Sequence, residues 1–234
     1  MNKSKNQNYT LDFNNNNVCY LCGYVLDEEL DEIDKDHVPP RQFYPKKIRQ
    51  QEKINLLTIP VHRGCNSSYQ KDEDYFYNAI GPLAGDSPCG KLVLEDLTRS
   101  FGRPQGKRLG ESVLREFDNR YSGLYLPEGK VAKYYDGKRV RRVLWKIIRG
   151  LFYKEYDRYL PEGTKYDIEL IDDPNSVSDQ LCFLRCQRSM GIYPPVFDYR
   201  YRSFPEKDNF HLWLFLFWQK ILVLAKFLDP DDNS

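Results

Sequence analysis

Apolar positions along this chain fall into two regimes. Up to about residue 85 they are scattered and broken by charge, proline and cysteine, and no helix-length apolar stripe forms before Tyr69. Met1 to Asn17 is a polar, asparagine-rich tail and reads as disordered. Residues 18–68 read as a small ligand-stapled unit. Tyr69 to Ile80 is expected to be a helix, with Phe76 and Ile80 inward, stopped by Gly81-Pro82. Ser87 to Phe101 and Gly106 to Asn119 read as two further helices parted at Arg103-Pro104. Tyr121 to Leu126 and Val131 to Tyr135 suggest a hairpin around Pro127-Glu128-Gly129. The clearest periodicity lies in 137–158. There Val140, Val143, Leu144, Ile147, Ile148, Leu151 and Phe152 make one buried face behind an Asp136 N-cap. Arg139, Arg141, Arg142, Lys146 and Arg149 are expected largely on the opposite side. After Pro161 the pattern becomes strand-like, over Tyr166 to Ile171, Val196 to Arg202, Phe210 to Trp218 and Ile221 to Leu228. The predicted class is α+β: a tail (1–17), a stapled unit (18–85), and an α+β domain (86–234) whose C-terminal part is an antiparallel β-rich region.

Composition supports a folded chain. Of 234 residues 41% are hydrophobic and 15% aromatic, enough to bury a core without disulfides. The uninterrupted apolar run Leu212 to Trp218 is far shorter than the roughly 20 residues of a membrane span, so no membrane association is expected. No signal-peptide pattern opens the chain, which points to a reducing cytoplasm and to cysteines that bind metal or stay free. The net charge of +1 hides a segregation: −2 over residues 1–85, +7 over 86–160 and −4 over 161–234. A basic middle is one footprint of nucleic-acid contact. It is equally what a positive helix face neutralising its acidic neighbours produces, and charge alone favours the second reading.

The chemistry lies between residues 19 and 66. Cys19-x-x-Cys22 and His62-x-x-Cys65 form a Cys₃His set with zinc-knuckle spacing. Cys89, Cys182 and Cys186 lack such partners, and the Cys182-x-x-x-Cys186 pair, with no nearby His, reads as buried apolar filler. Between the knuckles stands Asp36-His37-Val38-Pro39-Pro40, then Asn55, and Asn66 directly follows Cys65. Taken singly, Asp36 and Asn55 read as turn residues and Asn66 as a helix cap. In this order, over Val18 to about Tyr75, they resemble the HNH endonuclease family, the ββα-metal nucleases. His62 stands where zinc-bearing members usually carry Cys, and Asn66 where many carry His.

The resemblance implies a zinc-stapled ββα unit that hydrolyses nucleic-acid phosphodiesters, most of all in double-stranded DNA. His37 would be the general base, for which a neutral imidazole suits. Asp36 and Asn66 would ligate one Mg²⁺ or Mn²⁺, Asn55 would brace the loop of His37, and zinc would be structural. Arg41, Lys46, Lys47, Arg63 and Lys71 are placed to reach phosphates, contacts that carry no sequence information. The acidic run from Asp27 to Asp36 lies close to this site and would repel DNA unless turned away. Residues 86–234 loosely resemble the extensions of uncharacterised bacterial HNH proteins. They would serve as a DNA clamp or as a docking module for a protein partner, the latter suiting a nuclease effector of a bacterial or phage defence assembly. The alternative is a non-catalytic, zinc-stabilised nucleic-acid-binding or scaffold protein.

Overall fold

Strict alternation in Thr58–His62 buries Ile59 and Val61 on one face, and this strand (β2) pairs antiparallel with β1, Ile33–His37, in a register that sets His37 opposite Thr58 and Ile33 opposite His62. The computed structural model describes residues 17–51, 54–171, 187–207 and 209–230. Between the two strands lie a 3₁₀ turn, Arg41–Phe43, and a short helix α1, Lys46–Gln51. After β2 come α2, Arg63–Ser67, and α3, Gln70–Ile80, which continues as a 3₁₀ turn over Gly81–Ala84 instead of stopping at Gly81-Pro82. Proline at the second position of that turn fits because its ring fixes φ and the first turn needs few N–H donors.

The next helices are α4, Pro88–Phe101, capped by the Ser87 hydroxyl on Gly90 N, and α5, Pro104–Leu114. The second starts and ends earlier than its sequence pattern suggests. The predicted hairpin also differs. Ser122 and Gly123 both take positive φ and make a two-residue turn between β4, Arg120–Tyr121, and β5, Leu124–Tyr125. Outside it, β3, Phe117–Asp118, pairs with β6, Ala132–Lys133. The Pro127-Glu128-Gly129 turn only carries the chain back.

Helix α6, Gly137–Tyr156, begins as expected, with the Asp136 carboxylate accepting from Lys138 N and Arg139 N. The C-terminal sheet is antiparallel, in the order β7–β10–β9–β8, with β7 Tyr166–Ile171, β8 Phe197–Phe204, β9 Phe210–Phe217 and β10 Ile221–Leu228. The class is α+β. Among the described residues no helix is long and apolar enough to cross a membrane. One face of the apolar run is spent on the protein's own core, with Trp213, Phe215, Phe217 and Trp218 fully buried, while Leu214 and Leu216 on the other face are half-buried. That core is continuous from Cys19, Val61 and Phe76 to Ile147 and Phe217, so packing does not part between residues 85 and 86. Trp218 joins the two parts, its indole donating to the Phe43 carbonyl at 2.8 Å. Cys89 is buried, while Cys182 and Cys186, which read as apolar filler, lie outside the described residues.

The β9 residue His211 is 2% exposed, stacked on Phe227 at 4.8 Å and set edge-on to Phe152 and Tyr156. Burial first, and then the Arg158 guanidinium, push its pKa down to about 4. Asp229 faces its Nε2 at 3.6 Å but is itself engaged by Arg158. The folded state therefore holds a neutral ring, while the unfolded chain takes up a proton near 6.5. This contribution to stability is complete above about pH 6.5 and is lost as pH falls toward 4. Between pH 6.5 and 5 the loss should reach up to about 2 kcal/mol, at about 1.36 kcal/mol per pH unit. Urea midpoints across that range should fall more steeply for the wild type than for His211→Phe, and parallel curves would refute this.

Candidate metal centre and adjoining pocket

The tight turn after Cys19 is built by backbone bonds, with Cys22 N and Gly23 N both donating to the Cys19 carbonyl. Gly23 has φ +78°, and a Cβ there would meet the Tyr159 ring at 2.8 Å, so this knuckle requires glycine. His62 ends β2 and Cys65 lies one turn into α2. These elements bring the ligand atoms of Cys19, Cys22, His62 and Cys65 within 4.8 Å of one another, with Cys19 buried and the others half-buried. Zn–N and Zn–S bonds of about 2.0 and 2.3 Å place tetrahedral N···S and S···S pairs about 3.5 and 3.8 Å apart. Cys22 Sγ lies 3.3 Å from His62 Nδ1. The cluster can hold a metal ion such as zinc.

Its electrostatics agree. Hydrogen bonds from the Cys22 and Cys65 thiols hold Cys19 down at about 2. The same sharing pushes Cys22 up to about 11, and Cys65 is also driven upward, first through its hydrogen bond with Cys19. Three sulfurs thus share too few countercharges to ionise together, a need that a divalent cation meets. His62 Nε2 is oriented by Asp31 Oδ2 at 3.2 Å, the carboxylate–histidine arrangement that fixes the tautomer of a ligand. Asp31 comes from the acidic run, a role its sequence position did not reveal.

Beside the cluster is an open pocket of about 260 Å³ lined by Asp36, His37, Arg41, Asn66 and Glu73 among others. His37 is half-buried at the end of β1. Burial and the Arg41 guanidinium, opposed by Asp36, hold its imidazole below the ordinary 6.5, so it is neutral at pH 7. Asp36 points the other way, to the interior, and is 4% exposed. One of its oxygens accepts from the Tyr20 hydroxyl and the other from Lys146 Nζ at 2.8 Å. The same ammonium contacts Glu73 Oε1 and lies 3.4 Å from Asn66 Oδ1. Burial pushes the Glu73 carboxyl up and Lys146 pulls it back. The Asn66 amide donates to Asp34 Oδ2 at 2.9 Å, which holds Asp34 below the usual carboxylate range.

Asp36, His37 and Asn66 therefore meet, but the geometry does not suit the expected Mg²⁺ or Mn²⁺. The oxygens that would ligate it already surround an ammonium. Among the described residues the Cys₃His set is the one group of three or more His, Cys, Asp or Glu side chains placed to hold a metal. Asn55 is exposed and hydrogen-bonds to nothing on the His37 loop; that loop is held instead by Val38 N on the Leu57 carbonyl at 3.1 Å. Of the expected phosphate contacts, only Arg41 lines this pocket. Lys46 and Lys47 line a separate shallow pocket with Gln50 and Arg99. Arg63 pairs with Glu32 at 3.0 Å, and Lys71 is exposed on α3.

The basic residues of α6 are largely engaged by other groups, as the reading favoured by charge alone has it. Arg139 and Arg142 both bind Asp72, Lys146 is 1% exposed, and the fully buried Arg149 donates to the Leu160 and Leu21 carbonyls. A positive helix face neutralising acidic neighbours is what forms. Compared with known proteins, the chain matches no family model, no curated protein and no solved structure.

Proposed function

We propose that the pocket of His37, Asp36 and Asn66 hydrolyses nucleic-acid phosphodiesters in the manner of an HNH-type endonuclease, with double-stranded DNA as the first substrate to test. The observation that carries this reading is the convergence of three residues, separated by up to 30 positions, on one open pocket. That pocket lies on a hairpin and helix stapled by the Cys₃His cluster. In this reading neutral His37 takes a proton from the attacking water as the new P–O bond forms and the bond to the sugar oxygen breaks. Arg41, exposed at the rim, pairs with the phosphate. Asn66, its amide held between Asp34 and Lys146, lines the pocket beside them. No step is assigned to a divalent ion here, because the oxygens available to it hold Lys146. Full-length protein should relax supercoiled plasmid. Absence of cutting on plasmid, single-stranded DNA and RNA alike would send the pocket to the second reading.

That second reading is a non-catalytic, zinc-stabilised nucleic-acid-binding or scaffold protein. It is favoured by one observation: both Asp36 oxygens are engaged in a buried ion cluster. A docking role for 86–234, with a protein partner or a defence assembly, gains nothing from Trp213, Phe215, Phe217 and Trp218, which the core consumes. Exposed cations available for a clamp include Arg103, Lys107, Arg108, Arg115, Lys130, Lys138 and Arg141.

A further inference from the structure

Three oxygens from separate elements close on one point. They are Asp36 Oδ1 from β1, Asn66 Oδ1 from α2 and Glu73 Oε1 from α3, and the point is Lys146 Nζ, delivered by α6. This is a cation cage, and it is deep: Lys146 is 1% exposed and Asp36 4%. An ammonium with three donors matches three acceptors. The ammonium offsets one of the two carboxylate charges, and the third ligand is a neutral amide. A Mg²⁺ or Mn²⁺ would have to sit about 2.0–2.1 Å from the same oxygens, in the space of the ammonium and against its charge.

We propose that the Lys146 ammonium is the resident cation of this pocket, standing where a divalent ion is expected and fixing Asp36 and Asn66 beneath His37. The inference rests on the phosphodiester reading of the pocket. Lys146 is a positioning residue in it, because its ammonium is sealed from substrate. The assignment gives the long helix a function: a residue 110 positions away completes the site and makes its geometry depend on the docking of α6.

The test reads metal uptake and needs no cutting, so it and the hydrolysis reading can fail separately. Zinc-loaded full-length protein is titrated with Mn²⁺ while the ring signals of His37, one of three histidines, are followed by NMR. His37→Ala identifies those signals. In the wild type they should stay sharp at stoichiometric Mn²⁺. In Lys146→Met the vacated oxygens should take up Mn²⁺ at least about tenfold more tightly, a gain of about 1.4 kcal/mol, and broaden them. Broadening in the wild type at stoichiometric Mn²⁺ overturns the proposal. So does a Lys146→Met protein that retains its zinc and gains no Mn²⁺. The wild-type arm decides alone if Lys146→Met does not fold.

Discussion

Replacing Cys19 by serine should remove bound zinc and destabilise the protein by more than about 4 kcal/mol, in the range reserved for lost metals and comparable defects. Cys19 is the fully buried ligand of the cluster, and its carbonyl also anchors the turn that carries Cys22. Its thiolate is the one the other two thiols stabilise. The elements around it are short, two five-residue strands and a five-residue helix, and the four ligands come from separate parts of the chain. A metal that tied residues 19, 22, 62 and 65 together would add folding energy to the packing that buries Cys19. The wild type should carry about one zinc per chain, and Cys19→Ser none, with a urea midpoint lowered to match. A metal-free wild type with an unchanged midpoint contradicts this account.

Lys146→Met should cost about 3–5 kcal/mol, the usual penalty for deleting one partner of a buried charge cluster. Methionine fits the same slot in α6, so the loss reports charge and not volume. Asp36 and Glu73 would be left facing each other with little solvent to screen them. Adding Asp36→Asn and Glu73→Gln should recover much of the loss, because a neutral set of similar volume avoids the desolvation cost. Chemical denaturation of the single and triple variants checks this. Equal destabilisation in both would show that packing rather than charge is responsible.

What could be read from the sequence was local. The two knuckles, the Asp136 cap, the 3.6-residue stripe of α6 and the strand-like runs after Pro161 each declare themselves within a few residues, and each formed. The Ser122-Gly123 turn was legible too, but the proline-containing turn four residues on drew the hairpin to itself. The site's supports were not legible, because their partners are distant. Arg139, Arg142, Lys146 and Arg149 repeat at spacings of 3, 4 and 3. That stripe says they share one face without saying that the face meets Asp72, Glu73 and Asp36 some 67 to 110 residues away. Likewise the acidic run reads as a repulsive surface until Asp31 is found on His62, Glu32 on Arg63, Asp34 on Asn66 and Asp36 on Lys146. Asn55 differs, since its assigned role came from order along the chain and no contact among the described residues supports it.

The central claim is that His37 performs chemistry in this pocket. The direct measurement is relaxation of supercoiled plasmid by the wild type and His37→Ala side by side, with zinc content and DNA affinity measured on both. A positioned general base contributes about a hundredfold or more, so His37→Ala should cut at least about a hundredfold more slowly. It should still retain its zinc and bind DNA as the wild type does, because His37 ligates no metal in the Cys₃His cluster and lies outside the buried ion cluster. His37→Ala cutting plasmid as fast as an active wild type would contradict the account.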